Sequence, residues 1–179
     1  MQIVVLGATG RTGRLVVEQA LMRGDEVVAY VRNPHGIAEN PGLEIAVGQL
    51  GDRLALKAVI NGADAVLACL GTHGKRMKKN IDLMQKSVPS IINAMKEANA
   101  SRLVLESAYG VGDTARTAGL IDRGPLADAV EVRPMTQVHN VAGLPKVSRA
   151  DVARVMLDAA RDDRTIGQKL LVSRKGSVR

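Results

Sequence analysis

A strand that runs straight into spaced glycines constrains this chain more than any other feature. Ile3-Val4-Val5-Leu6 is a short apolar run, and Gly7-x-x-Gly10-x-x-Gly13 follows it at once. Such a run reads as a strand buried on both faces, as in a parallel sheet. Leu15, Val16, Gln19, Ala20 and Met22 then continue at helical spacing. The glycines therefore occupy a strand-to-helix turn. Gly7 lets the chain turn off the strand, Gly10 lets a phosphate approach the backbone, and Gly13 lets the helix pack close. The helix begins with unpaired N–H groups and the positive end of its dipole, which makes an anion site. Thr9 and Thr12 add hydroxyls there, and Arg11 adds a charge. A purely structural glycine turn is the plain alternative, but the preceding strand and following helix favour a dinucleotide site.

The rest of the chain alternates strand and helix. Asp25 to Val31 reads as a second strand after Gly24, a C-cap glycine for the first helix. An acidic residue at the end of this strand would hold a ribose 2′-hydroxyl, whereas an Arg accommodates a 2′-phosphate. The sequence there is Tyr30-Val31-Arg32-Asn33, with no carboxylate until Glu39. Arg32 is thus the expected 2′-phosphate residue, with Arg11 as a second cation, and NADP(H) is expected over NAD(H). Leu43 to Val47 is a third strand, and Gln49 and Leu50 follow where an adenine would lie. Asp52 caps a helix over Arg53 to Asn61, and Gly62 stops it. Residues 64 to 70 form a fourth buried strand holding Cys69, read as an inert core thiol.

Ligands in open α/β sheets lie beyond the carboxyl ends of the strands. Leu70, Gly71 and Thr72 are therefore candidate ribose contacts. His73 could be an acid but reads more readily as a polar loop residue, and the Lys75–Lys79 cluster as a solvated loop. Asn80 to Ala100 has a helical pattern, with Leu83, Met84, Val88, Ile91, Ile92 and Met95 as its stripe and Pro89 as a kink or restart. Arg102 to Glu106 is a fifth strand. Ser107 and Tyr109 stand at its carboxyl end as catalytic candidates, because a hydroxyl there can polarise a substrate or donate a proton. Ser148 reads as an N-cap with Asp151 at the capping-box position, and Lys169 to Ser173 as a last strand. The alternation predicts an α/β fold, a doubly wound parallel sheet in three layers.

Composition narrows the function. The 179 residues carry a net charge of +7 but only two Tyr and no Phe or Trp. Without stacking platforms, and with its basic residues scattered, the chain is not expected to bind nucleic acid. The single cysteine excludes an intramolecular disulfide and fits a reducing, cytoplasmic setting. No apolar run is long enough to span a membrane, and none reads as a signal peptide.

Five segments carry a family likeness: Gly7-Ala8-Thr9-Gly10-Arg11-Thr12-Gly13, Val31-Arg32-Asn33-Pro34, Gly62-Ala63-Asp64-Ala65-Val66, Ser107-Ala108-Tyr109-Gly110-Val111-Gly112 and Lys146 to Ala153. Together they resemble the atypical short-chain dehydrogenase/reductases. Within these the chain is most similar to the NAD(P)H-binding branch of biliverdin reductase B (flavin reductase)-like and NmrA-like proteins. The resemblance implies a Rossmann-type fold, NADPH preference and hydride transfer to a flavin, tetrapyrrole or quinone-like acceptor. It also implies that Ser107 is the functional hydroxyl. A non-catalytic NADP(H)-binding regulator is the other reading, and either would act as a monomer or homodimer.

The sequence departs from the family in three places. The third strand ends Gly48-Gln49 where Gly-Asp is usual. No Tyr-x-x-x-Lys pair exists. Residues near 114–122 form an apparent internal gap in the substrate region, either a true deletion or an omitted segment. Arg133-Pro134 could be a remnant of the family's sixth strand, but the spacing of Gly124-Pro125 to Ser148 fits the family's later segment better. The expectation is a single NAD(P)-binding domain over residues 1–179.

Overall fold

A computed structural model describes residues 1–71, 83–107, 121–122, 130–138 and 147–175, with only the backbone at 121–122 and 174. Within the stretch read as a single domain, the backbone forms two compact units, Met1–Glu106 and Ser107–Arg179.

The first unit is built on five parallel strands: β1 (Gln2–Leu6), β2 (Glu26–Val31), β3 (Leu43–Val47), β4 (Ala65–Ala68) and β5 (Leu103–Leu105). Their spatial order is β3-β2-β1-β4-β5, with all neighbours parallel. The chain thus moves outward from β1 in one direction, then returns and moves outward in the other. This reversal is the topological switch point at which such sheets bind ligands. The central strands are buried on both faces, as continuous apolar runs require.

Alternation of side chains divides the core. On one face Val4, Leu6, Val28, Tyr30, Val66 and Ala68 pack with Leu56 and Ile60 of α2 (Arg53–Ile60) and Ile91, Ala94 and Met95 of α3 (Leu83–Glu97). On the other, Ile3, Val5, Val27, Ala29 and Leu67 are buried, and α1 (Arg11–Met22) supplies Val16, Val17 and Ala20. The result is a Rossmann-type, three-layer α/β unit. An Arg53–Glu97 ion pair ties α2 to α3 at the surface.

The expected stripe of α3 needs correction. Ile92 is exposed, and the buried stripe is Ser87, Ile91, Ala94, Met95 and Ala98. Small residues at 87, 94 and 98 belong to the buried stripe, which hydrophobicity alone did not signal. Of the two outcomes expected at Pro89, a kink or a restart, the restart does not occur, because α3 runs through it. It lies on the exposed face inside α3, where its ring meets solvent rather than the core.

The second unit holds β6 (Ile121–Asp122), β7 (Val130–Pro134), β8 (Val147–Ser148), α4 (Arg149–Ala159) and β9 (Leu170–Arg174). β6 pairs parallel with β8, and β7 pairs antiparallel with β9 with Val132 opposite Val172. Arg133-Pro134 therefore ends an antiparallel strand, and the parallel strand β6 precedes Gly124-Pro125 in the chain. The α4 cap forms as expected: Ser148 Oγ accepts from the Asp151 amide at 3.0 Å and donates to Asp151 Oδ2 at 2.6 Å. The helix starts at Arg149, directly after the Ser148 cap.

Candidate functional site: the glycine turn and the strand ends beside it

The glycine turn is held by close backbone contacts. Gly7 has φ of +82°, and a Cβ there would stand 2.6 Å from the Cys69 carbonyl oxygen on β4's extension. A Cβ on Gly13 would stand 2.2 Å from the Gly7 carbonyl oxygen. Real Cβ atoms do not come this near to backbone oxygen, so both positions admit only glycine. Gly10 donates to Gly7 O at 2.8 Å, which closes the turn. Gly10 is also the N-cap of α1, with no side-chain cap and no acidic residue in the first turn. The first N–H groups of α1 are thereby left to an anion. Leu70 packs its Cδ2 3.4 Å from the Gly7 Cβ position, and Thr9, Arg11 and Gly71 are exposed nearby in the chain.

Thr12 behaves differently from the expectation that its hydroxyl would face a phosphate. It is buried, and its Oγ donates to Glu106 Oε1 at 2.8 Å. Sequence reasoning passed over Glu106 as a strand terminus. The signal was its position one residue before Ser107, at the carboxyl end of a parallel strand. Burial, and after it the Glu106 charge, raises the Cys69 thiol above its ordinary range, so Cys69 stays protonated.

The end of β2 is built from side chains. Tyr30 is buried, and its hydroxyl donates to the Gln49 carbonyl at 3.0 Å. Gly48 makes room for it: a Cβ there would stand 2.2 Å from the Tyr30 oxygen. Burial, then the Asp52 charge, raises the Tyr30 phenol above its ordinary value. Asp52 caps α2 by accepting from the Ala55 amide at 3.0 Å. Leu50 packs against the core cluster, and the Gln49 side chain is exposed. Arg32, just past β2, is exposed and has no ion-pair partner among the described residues. Asn33 Oδ1 accepts from the His35 amide at 3.0 Å and turns the loop. In that loop the Arg14 guanidinium lies 3.8 Å from the Gly36 Cβ position, a nearby cation that sequence reading did not single out.

Ser107 is exposed and opens the second unit in the chain. Thr72, His73, Lys75 to Lys79 and Tyr109 lie outside the described residues. Among the described residues no cluster of His, Cys, Asp or Glu could hold a metal ion. No described helix is long and apolar enough to cross a membrane.

A parallel sheet with its switch point at a glycine turn is the architecture of nucleotide-binding α/β proteins. The chain belongs to the NAD(P)H-binding family, whose model matches residues 7–131. An uncharacterized Mycobacterium tuberculosis protein is 31% identical over 108 residues, 60% of this chain and 12% of that protein. An isoflavone reductase homolog of Zea mays is 29% identical over 157 residues, 80% of this chain and 46% of its own length. The chain thus spans less than half the length of either relative. A Streptococcus pneumoniae structure provisionally described as an NADH-flavin reductase superposes with a TM-score of 0.76 at 19% identity, covering 98% of this chain and 100% of that one.

Proposed function

We propose that this chain is an NADPH-dependent oxidoreductase that passes hydride to a small flavin, tetrapyrrole or quinone-like acceptor. The observation that carries the reading is the uncapped N-terminus of α1 over a turn that only glycine can form. The residues fit the cofactor: a cradle closed to Cβ atoms takes the pyrophosphate, and exposed Arg32 takes the 2′-phosphate. Gly7, Thr9, Gly10, Arg11 and Gly13 supply the cradle, with Thr12 through its backbone. Gln49 and Leu50 border the adenine, and Leu70, Gly71 and Thr72 the ribose. The bound cofactor supplies hydride, and the protein's own task is to orient donor and acceptor. Ser107, with Tyr109 second, is the group assigned to hold or donate a proton at the acceptor. The reductase name of the maize relative supports the reaction class. The chain acts as a monomer or homodimer, without nucleic acid or membrane.

NADPH oxidation with FMN or a quinone tests this. Turnover should appear and fall roughly 10²-fold in Ser107→Ala. Cofactor binding with no turnover on these acceptors would instead favour an NADP(H)-binding regulator.

A further inference from the structure

The reading above gives no part to Glu106, yet its carboxylate stands at the anion turn. Its amide donates to the Ala68 carbonyl at 3.0 Å, which keeps the residue in line with the sheet. Its Oε1 accepts the Thr12 hydroxyl at 2.8 Å, joining β5's end to the first turn of α1 across 94 residues of sequence. Its charge also reaches the Cys69 thiol, and the carbonyl of Cys69 is the group that faces Gly7. These contacts put one negative charge at the foot of the glycine turn.

A carboxylate at this place has two consequences. The N–H groups and dipole at the start of a helix favour a negative charge, so Glu106 stabilises the ligand-free turn. A pyrophosphate drawn to the same N–H groups then meets a like charge. The Thr12 hydroxyl proton is also committed to Glu106 and is not offered to a phosphate.

We propose that Glu106 is a positioning residue that fixes Thr12 and restrains the affinity of the turn for pyrophosphate, so that the dinucleotide exchanges readily. This rests on the cofactor reading above. A residue that merely propped the turn would weaken binding when replaced, whereas a restraining charge strengthens binding when removed.

The test is NADPH titration of the wild-type chain, Glu106→Gln, Glu106→Ala and Glu106→Asp, with folding checked by thermal melting. Gln keeps an acceptor for Thr12 and removes the charge. Its affinity should rise about tenfold or more, the scale of one like charge within about 12 Å at an effective dielectric of about 20. Ala should also bind more tightly than wild type, and it gives the same reading if Gln does not fold. Asp keeps the charge and should not bind more tightly. Unchanged or weaker binding in the folded neutral variants, beside a binding wild type, would overturn the role of Glu106 alone. Failure of the wild-type chain to bind NADPH would overturn the cofactor reading and this proposal with it.

Discussion

At the carboxyl end of β1 the chain builds its site by leaving side chains out, and at the carboxyl end of β2 by putting them in. Around Gly7 and Gly13 any Cβ collides with backbone carbonyl oxygen, 2.6 and 2.2 Å away. Backbone cannot step aside cheaply, so these positions admit one residue type. Past β2 the contacts are the Tyr30 hydroxyl on Gln49, the Asp52 cap and the exposed Arg32. Each can be exchanged at a modest cost in stability. The contrast assigns different work to the two ends. On the proposed reading, the glycine turn decides whether a dinucleotide binds at all, and the β2 end decides which one.

The largest effect that would sharpen this contrast is at Gly13. Gly13→Ala should lose cofactor binding and destabilise the fold by about 1–3 kcal/mol, the range for overpacking, read from urea midpoints. Gly24→Ala is the control: its φ is +78°, but nothing lies within 4 Å of its Cβ position. It should cost about 1–2 kcal/mol from backbone strain alone and leave NADPH affinity intact. If the two variants behaved alike in binding, the steric account of the turn would fail.

Next in size is Arg32→Ala. One charged hydrogen-bonding partner is worth about 1.5–3 kcal/mol, so NADPH affinity should fall at least about tenfold while NADH affinity changes little. Equal loss for both would remove the 2′-phosphate assignment from the β2 end.

Smaller again is Tyr30→Phe, which loses the bond to the Gln49 carbonyl and should cost about 0.5–1.5 kcal/mol by thermal or urea unfolding. The same phenol carries a pH signature. Its folded pKa is raised above the ordinary 10.0 by burial and by Asp52. Its contribution is therefore present below that value and lost as pH rises through the folded value. Stability of the wild-type chain should fall more steeply than that of Tyr30→Phe at alkaline pH. The smallest effect is a silence: Cys69, buried and held protonated, should resist thiol reagents until the protein unfolds. Rapid labelling of the native chain would contradict the packing beneath the glycine turn.

Much of this was legible in the residues because it rests on local rules. Ile3 to Leu6, Glu26 to Val31 and Ala65 to Ala68 are apolar runs between turn signals, and they became the central strands. Gly7 to Gly13 announced the turn because only glycine fits it. Asp52 and Ser148 announced their helices because a cap is chosen by the next three residues. What stayed hidden depends on contacts distant in sequence. The Thr12–Glu106 bond joins residues that only the folded sheet brings together. The exposed Ile92 and the buried Ser87, Ala94 and Ala98 follow from which face of α3 is turned to the core, which a hydrophobic stripe does not report. Gly48 gave no sign that it yields to the Tyr30 ring, eighteen residues earlier in the chain.

The most direct measurement of the central claim is a calorimetric titration of the purified chain with NADPH and with NADH. A saturable site that takes NADPH more tightly than NADH, and that Gly13→Ala abolishes, is the result this account predicts. No binding of either cofactor, or binding that survives Gly13→Ala unchanged, would contradict it.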